Sequence, residues 1–239
     1  MKLAKITAWL DRTLNVAAFD DVSNNGLQVE RETSERTRKT RGTRGTGDDI
    51  STVAFAVDAS VRAVKAAAEA GAQLLVVHHG ISWGGGIRRV SGGVGRVVRA
   101  AIEANLAIYA CHLPLDAHPV LGNNAQLAQL LGLKQVKPAF TYHGNVIGLV
   151  GKSLNLTVGV CSGGAGEFAE EAKNLGCDLF ITGEANWGDV IAAENCGMEM
   201  MCLGHYETEV WGVRAVAKAM KRALKVKTVD LTETRGPQK

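Results

Sequence analysis

The sequence predicts an α/β fold in which two similar layers of helices and largely parallel strands face a shared crevice. From residue 51 onward, short β-branched runs alternate with segments of helical period, which is typical of parallel βαβ units. Residues 71–76 (GAQLLV) align without gaps to residues 176–181 (GCDLFI), which indicates two equivalent halves. Polar residues also collect directly after the predicted strands, where open parallel sheets form their sites.

The elements follow from these periodicities in chain order. The first is a short amphipathic helix, with Leu3, Ile6, Leu10 and Leu14 near one face. The predicted strands are 52–57, 73–77, 107–111, 157–161, 178–182, 199–202 and 225–229. Helices over 60–70 and 166–175 each end at a glycine, Gly71 and Gly176. A longer helix with an apolar stripe begins near His205.

The composition is that of a globular protein in a reducing compartment. Of the 239 residues, 46% are apolar and 21% are charged. No apolar run approaches the roughly 18 residues of a membrane span. Five cysteines, an odd number without a secretory signal, argue against a disulfide framework. We therefore expect a cytoplasmic protein.

The positive charge of the chain belongs to one segment. Residues 31–47 carry six basic against two acidic side chains, or +4, so that the rest of a chain of net charge +3 carries −1. A low-hydrophobicity run of Arg, Thr and Gly predicts a flexible basic insertion over 31–49. The alternative is a contact with an anionic partner such as nucleic acid.

Candidate site residues follow five of the strands, at 78–79, 112–116, 161–164, 182–184 and 205–209. His205 and Glu209 are four residues apart at a helix start and so share one face. Acidic side chains there are also explained by the positive helix terminus. Around Asp116, two prolines predict a stiff, extended loop that presents the carboxylate. The glycine-rich 161–166 stretch (CSGGAG) predicts either a tight turn, which we favour, or a phosphate-binding loop.

These residues predict a metal site. His78, His79, Asp116, His205 and Glu209 are five nitrogen and oxygen ligands, more than one catalytic ion takes while keeping a position for water. Two ions with a bridging carboxylate account for this number and for the adjacent histidines. The ligand types suit zinc, iron, manganese or cobalt.

The motifs NGLQV, VVHHG, HLPLDAHP, CSGG, ITGE and GHYETE resemble, in this order, those of the Nif-three-like family, whose bacterial members are labelled GTP cyclohydrolase 1 type 2 homologues. The resemblance implies two intertwined α/β/α layers with a dinuclear metal centre in the crevice between them. It implies that His79 and Asp116 bind one ion, that His78 and His205 bind the other, and that Glu209 bridges both. It also implies a homohexamer.

The chain differs from that family pattern in two places. The stretch from Leu133 to Val160 is short, and the basic segment is an apparent insertion. We therefore expect a first lobe of residues 1–132 with 203–239 and a second, shortened lobe of residues 133–202.

Two functions remain open. The first is a metal-dependent hydrolase, possibly GTP cyclohydrolase-like, in which metal hydroxide attacks the guanine imidazole ring and formate is released. His112 is then the candidate for proton transfer or for support of the ligands. The alternative is a non-catalytic metal-binding protein, acting as a metal chaperone or as an assembly that binds a partner or nucleic acid. A dinucleotide-binding enzyme is excluded by motif, because no G-x-G-x-x-G follows the first long strand.

Overall fold

A computed structural model describes residues 1–32 and 49–232. Within these residues the chain forms two five-stranded sheets and eight α-helices, which confirms the predicted α/β class. It divides into a first unit, Met1–His112 with Val216–Lys239, and a second unit, Leu113–Ala215. The basic segment predicted at 31–49 lies, from 33 to 48, outside the described residues. Among the described helices, none is long and apolar enough to cross a membrane.

The first unit contains a mostly parallel sheet. Its strands are β1 (Gly26–Val29), β2 (Thr52–Asp58), β3 (Leu74–His79), β4 (Ala107–Ala110) and β10 (Lys227–Asp230). They lie in the order β1-β4-β3-β2-β10, with only β1 antiparallel to its neighbour. The helices are α1 (Leu3–Thr13), α2 (Val61–Glu69) and α3 (Gly92–Glu103), together with the end of α8 (His205–Leu224).

The central strands of this sheet are apolar throughout because helices cover them. β2, β3 and β4 are almost entirely buried, which is why they read as continuous apolar runs. Val64 of α2 and Val97 of α3 pack in one core with Leu75, Val77 and Ile108. The first turn of α2 is capped by Ser60, whose side chain accepts a hydrogen bond from the backbone of Ala63 at 3.1 Å.

The second unit joins a hairpin to a parallel sheet. Its strands, in sheet order, are β5 (Lys134–Tyr142), β6 (Asn145–Ser153), β7 (Leu156–Cys161), β8 (Leu179–Thr182) and β9 (Glu199–Cys202). β5, β6 and β7 pair antiparallel, whereas β7, β8 and β9 pair parallel. The helices are α4 (Leu113–Ala117), α5 (Asn123–Leu130), α6 (Ala169–Asn174), α7 (Trp187–Cys196) and the start of α8.

The hairpin of β5 and β6 was not predicted from the sequence. Two nine-residue strands fill the segment that was expected to be short of an element. They meet at His143 and Gly144, both with positive φ (46° and 75°), as a tight two-residue hairpin turn requires. The His-Gly pair is a weak turn signal, because histidine adopts positive φ less readily than asparagine or aspartate.

The two units repeat the same connections. Gly71 and Gly176 have positive φ (71° and 74°) after α2 and α6, and in each case a strand begins three residues later. Asn105 and Gly197 likewise follow α3 and α7 with positive φ (48° and 67°), two residues before a strand. The structure therefore has the internal similarity that the aligned residues 71–76 and 176–181 predict.

The structural units and the predicted lobes have different boundaries. Residues 113–132 belong to the second unit because Leu127 and Ala128 of α5 pack on Val158 and Val160 of β7. The start of α8 belongs there too, since Trp211 packs against the same cluster. Sequence periodicity does not reveal which sheet a helix covers, which is why the predicted boundaries at 132 and 203 differ.

Candidate metal centre

Two adjacent histidines end the middle strand of the first sheet. β3 closes with His78 and His79, whose ring centroids lie 4.6 Å apart. The chain needs a glycine next, because a Cβ atom at Gly80 would overlap the side chains of Gln28 and Ala110. The two imidazoles lie side by side, although successive side chains of a strand point to opposite faces.

Both rings are held through the same nitrogen. The Nδ1 atom of His78 donates to the backbone oxygen of Cys111 at 3.0 Å, and that of His79 donates to Oδ1 of Asp58 at 2.9 Å. A hydrogen bond at Nδ1 selects the tautomer in which Nε2 carries the lone pair that can bind a metal ion. In each histidine, Nε2 is therefore the nitrogen available to bind a metal ion.

A third imidazole joins this group. The ring of His112 lies 5.0 Å from that of His78 and 5.7 Å from that of His79. One nitrogen from each of the three lies within 4.8 Å of the others, so the group could hold a metal ion. His112 follows β4, and its Nδ1 atom donates to Oδ1 of Asp21 at 2.9 Å.

Asp21 is firmly held as a carboxylate. Its side chain is 2% exposed and also accepts from the backbone of Ser23 at 2.9 Å and from Nδ2 of Asn25 at 2.8 Å. Burial alone raises the pKa of Asp21, but the hydrogen bond and charge of His112, with the bonds from Ser23 and Asn25, outweigh it. The pKa falls from its usual 3.8 to about 2. Asp21 therefore keeps the Nδ1–H tautomer of His112 in place.

The second unit places an imidazole between two carboxylates. His205 begins α8, and its Nε2 atom lies 3.1 Å from Oε1 of Glu209, one helical turn later. Its Nδ1 atom lies 3.0 Å from Oε1 of Glu184, which follows β8. Glu209 is only 3% exposed. The helix predicted to start at His205 is confirmed, with both side chains on one face.

Asp116 lies beside Glu209 in the same unit. Its carboxylate is buried and accepts from Oγ of Ser162 at 3.0 Å and from Nδ2 of Asn123 at 2.8 Å. A carboxylate oxygen of Asp116 lies within 4.8 Å of one of Glu209. Two buried carboxylates this close repel each other in a medium of low dielectric constant, and a bound cation removes that cost.

The prediction of an extended loop around Asp116 is wrong. Residues Leu113–Ala117 form the short helix α4. Pro114 lies in its first turn, where a backbone N–H has no helical partner, so the proline is tolerated there. Helical geometry, rather than an extended chain between prolines, therefore presents the carboxylate.

The glycine-rich loop after β7 supports Glu209. Gly163 has a φ of +70°, and a Cβ atom there would come within 2.6 Å of Oε1 of Glu209. Three backbone amides of the loop donate to side chains of the same unit: Ser162 to Asn124, Gly163 to Thr208 and Ala165 to Thr182. With these amides occupied, the tight turn is favoured over a phosphate-binding loop.

The predicted ligands divide between the two units. The first unit holds His78 and His79, which lie together with His112, and the second holds Asp116, His205 and Glu209. Sequence reasoning missed Asp58 and Glu184 as partners of the histidines, although Asp58 ends a strand and Glu184 follows one, which is the signal used for the ligands. It could not have found Asp21, which only the folded chain brings to His112. Burial raises the pKa of Cys161 and disfavours a thiolate ligand.

The chain has relatives over nearly its whole length. It is 37% identical over 262 aligned positions to the GTP cyclohydrolase 1 type 2 homolog of Pyrococcus horikoshii, covering 97% of this chain and 98% of that one. It is 37% identical over 243 positions to the protein of the same description from Deinococcus radiodurans, covering 89% and 86%.

Solved structures are also similar to this chain over nearly its whole length. The crystal structure of TTHA1606 from Thermus thermophilus has a TM-score of 0.78 at 27% identity and covers 100% of this chain and 99% of that one. Reduced HcgD from Methanocaldococcus jannaschii, at 22% identity and a TM-score of 0.77, shares the fold over 97% and 98%. The sequence pattern of Duf34/NIF3 (NGG1p interacting factor 3) matches residues 1–157 and 145–237. The chain therefore belongs to the Duf34/NIF3 family.

Proposed function

We propose that this protein is a dinuclear metal-dependent hydrolase whose ligands are His78, His79, Asp116, His205 and Glu209. The observation that carries the proposal is the pair of buried carboxylates, Asp116 and Glu209, with oxygens within 4.8 Å. The imidazole of His205 contacts Glu209 through Nε2 and a third carboxylate, that of Glu184, through Nδ1. Divalent ions would balance this concentration of negative charge.

The histidines support the same assignment. All four imidazoles at the strand ends are held at Nδ1 by a carboxylate or a carbonyl oxygen. That arrangement is typical of metal-binding histidines, whose partners fix the ring and raise its basicity. A mixed nitrogen and oxygen set suits zinc, iron, manganese or cobalt better than magnesium.

Bound ions would supply Lewis acidity, which lowers the pKa of a water molecule and polarises the group under attack. The protein side chains would divide the remaining tasks. Glu209, within reach of both Asp116 and His205, is suited to share its two oxygens between ions. His112, with Nδ1 held by Asp21, is oriented to exchange a proton at Nε2 with a substrate or with water.

The description shared by the relatives suggests GTP as the substrate. In that reaction the guanine C8 atom, bonded to N7 and N9, leaves as formate. Two water molecules are consumed, the C8–N7 and C8–N9 bonds break, and the two nitrogens take up three protons. His112 is our candidate for moving one of these protons.

The test compares two glutamates of one helix. Glu209→Gln removes a buried charge, whereas Glu207→Gln removes an exposed charge two residues away. We expect the wild type and Glu207→Gln to hold about two divalent ions per chain and to release formate from GTP. We expect Glu209→Gln to lose both properties. Metal content is measured by elemental analysis and formate by a coupled dehydrogenase assay.

The outcomes separate the two functions left open by the sequence. Metal that depends on Glu209, without turnover of GTP or other nucleotides by the wild type, would support a metal-binding protein without catalysis. A wild type that takes up no divalent ion, with Glu209→Gln indistinguishable from it, would overturn the metal centre itself.

A further inference from the structure

The loop after β3 exposes an aromatic ring against the imidazole group of the first unit. Trp83 is 39% exposed although it is one of the largest apolar side chains of the protein. Its ring centroid lies 5.9 Å from that of His79 and 5.1 Å from that of His112, edge to face with the latter. An exposed tryptophan beside candidate metal ligands and the candidate proton-transfer residue is well placed to touch a substrate.

The indole is fixed rather than free to turn. Its Nε1–H donates to the backbone oxygen of Gly80 at 2.9 Å. The backbone of Trp83 forms a bridge with Ser23, and the amide of the next residue, Gly84, donates to the oxygen of Val22 at 2.6 Å. A ring held at both its backbone and its polar edge loses little conformational entropy when a planar molecule stacks on it.

Three glycines follow Trp83, and none of them lies in a crowded position. At Gly84, Gly85 and Gly86 a Cβ atom would meet nothing within 4 Å. Gly84 and Gly86 have positive φ and so favour glycine, but Gly85 has neither that requirement nor a steric one. The loop continues to Arg88 and Arg89, both exposed, which add positive charge.

We propose that Trp83 is the stacking platform for the planar heteroaromatic ring of a nucleotide, and that the arginines of the same loop attract its phosphates. Base–aromatic stacking tolerates any base because every base has a π-face. Guanidinium groups recognise phosphate through paired N–H donors. The inference rests on the proposed function for the presence of a reaction at this site, and it assigns the residues that hold the base and the phosphates of the nucleotide.

The experiment measures binding and turnover separately. Titration calorimetry with metal-loaded protein uses GTP, guanosine and inorganic triphosphate as probes. We expect Trp83→Ala to weaken GTP and guanosine binding about 10-fold or more, as the loss of one base–aromatic stack implies. It should leave triphosphate binding unchanged, while Trp83→Phe retains most of the affinity. Arg88→Ala with Arg89→Ala should weaken GTP and triphosphate binding but not guanosine binding.

The matched control is Trp187→Ala, because Trp187 is another exposed tryptophan, at the start of α7, and no described ring contact joins it to the histidines. It should bind all three probes as the wild type does. Metal content and far-ultraviolet circular dichroism show whether each variant is folded. If Trp83→Ala does not fold, Trp83→Phe still tests the proposal.

Two results would overturn the stacking platform. One is a folded Trp83→Ala protein that binds guanosine as tightly as the wild type, and the other is wild-type protein that binds triphosphate but not guanosine. Neither result touches the hydrolase proposal if formate release persists. Conversely, loss of guanosine binding in Trp83→Ala, with no turnover by any protein, would support the platform and refute the hydrolase.

Discussion

Replacing Asp21 by asparagine tests whether the hydrogen-bonded contact between the buried Asp21 carboxylate and His112 stabilises the first unit. The pKa of Asp21 falls from 3.8 to about 2 in the folded protein. At about 1.4 kcal/mol per pKa unit, this difference is worth about 2–3 kcal/mol of folding free energy at neutral pH. The carboxylate is 2% exposed, so solvent screens the interaction little.

The contribution has a defined pH dependence. Because the pKa in the folded state lies below that of the unfolded chain, the stabilisation is fully present above about pH 4. It decreases as the pH falls through the folded value of about 2 and is absent below both values. The asparagine of the variant cannot ionise, so the difference between wild type and variant should shrink over the same interval.

Urea unfolding of chelator-treated protein measures this difference. We expect Asp21→Asn to lower the free energy of unfolding at pH 7 by about 2–3 kcal/mol and by much less near pH ~2.5. Glu69→Gln is the control, because Glu69 is an exposed carboxylate of the same unit, and it should change stability by no more than about 0.5 kcal/mol. An Asp21→Asn protein as stable as this control at pH 7, or equally destabilised at both pH values, would refute the reasoning.

Three further substitutions test the site and its supports. Asp58→Asn should weaken metal binding about 10- to 100-fold in a chelator competition, because His79 loses the charged acceptor at Nδ1; an unchanged affinity would contradict its role. Gly163→Ala should lower stability by at least about 1–2 kcal/mol in thermal unfolding, since the new methyl group enters a left-handed conformation against Glu209; an equally stable variant would show that the loop shifts freely. Asn186→Ala removes the capping box of α7 and should cost about 1 kcal/mol, and a change in thermal midpoint within error would mean that the cap is dispensable.

Local patterns account for most of the predicted strands. β2, β3 and β4 are buried on both faces, so each reads as an unbroken apolar run that ends at a turn or a polar residue. The hairpin of β5 and β6 was not predicted, because β5 is exposed along most of its length and lacks a continuous apolar run. The short strand β1 was not predicted either, since its pairing with β4 defines it more than its own composition does.

Rules of local position single out the candidate ligands, whose binding of a metal ion stays a prediction. His78 and His79 end a strand, and His205 and Glu209 are one turn apart on a helix, so secondary structure alone places each pair. The partners at Nδ1 do not obey such a rule. Asp21 reaches His112 across 91 positions of the chain, and Asp58 reaches His79 across 21.

The sequence by itself determined the α/β class, the repeated connection after Gly71 and Gly176, and the residue types able to bind a metal ion, because each depends on period, backbone conformation or side-chain chemistry within a short stretch. Only the tertiary structure decided which carboxylate orients which imidazole, that Asp116 lies on a helix beside Glu209, and that Trp83 stays exposed against His112. Those facts depend on contacts between residues distant in the chain, and such contacts follow from how the elements pack rather than from any local pattern.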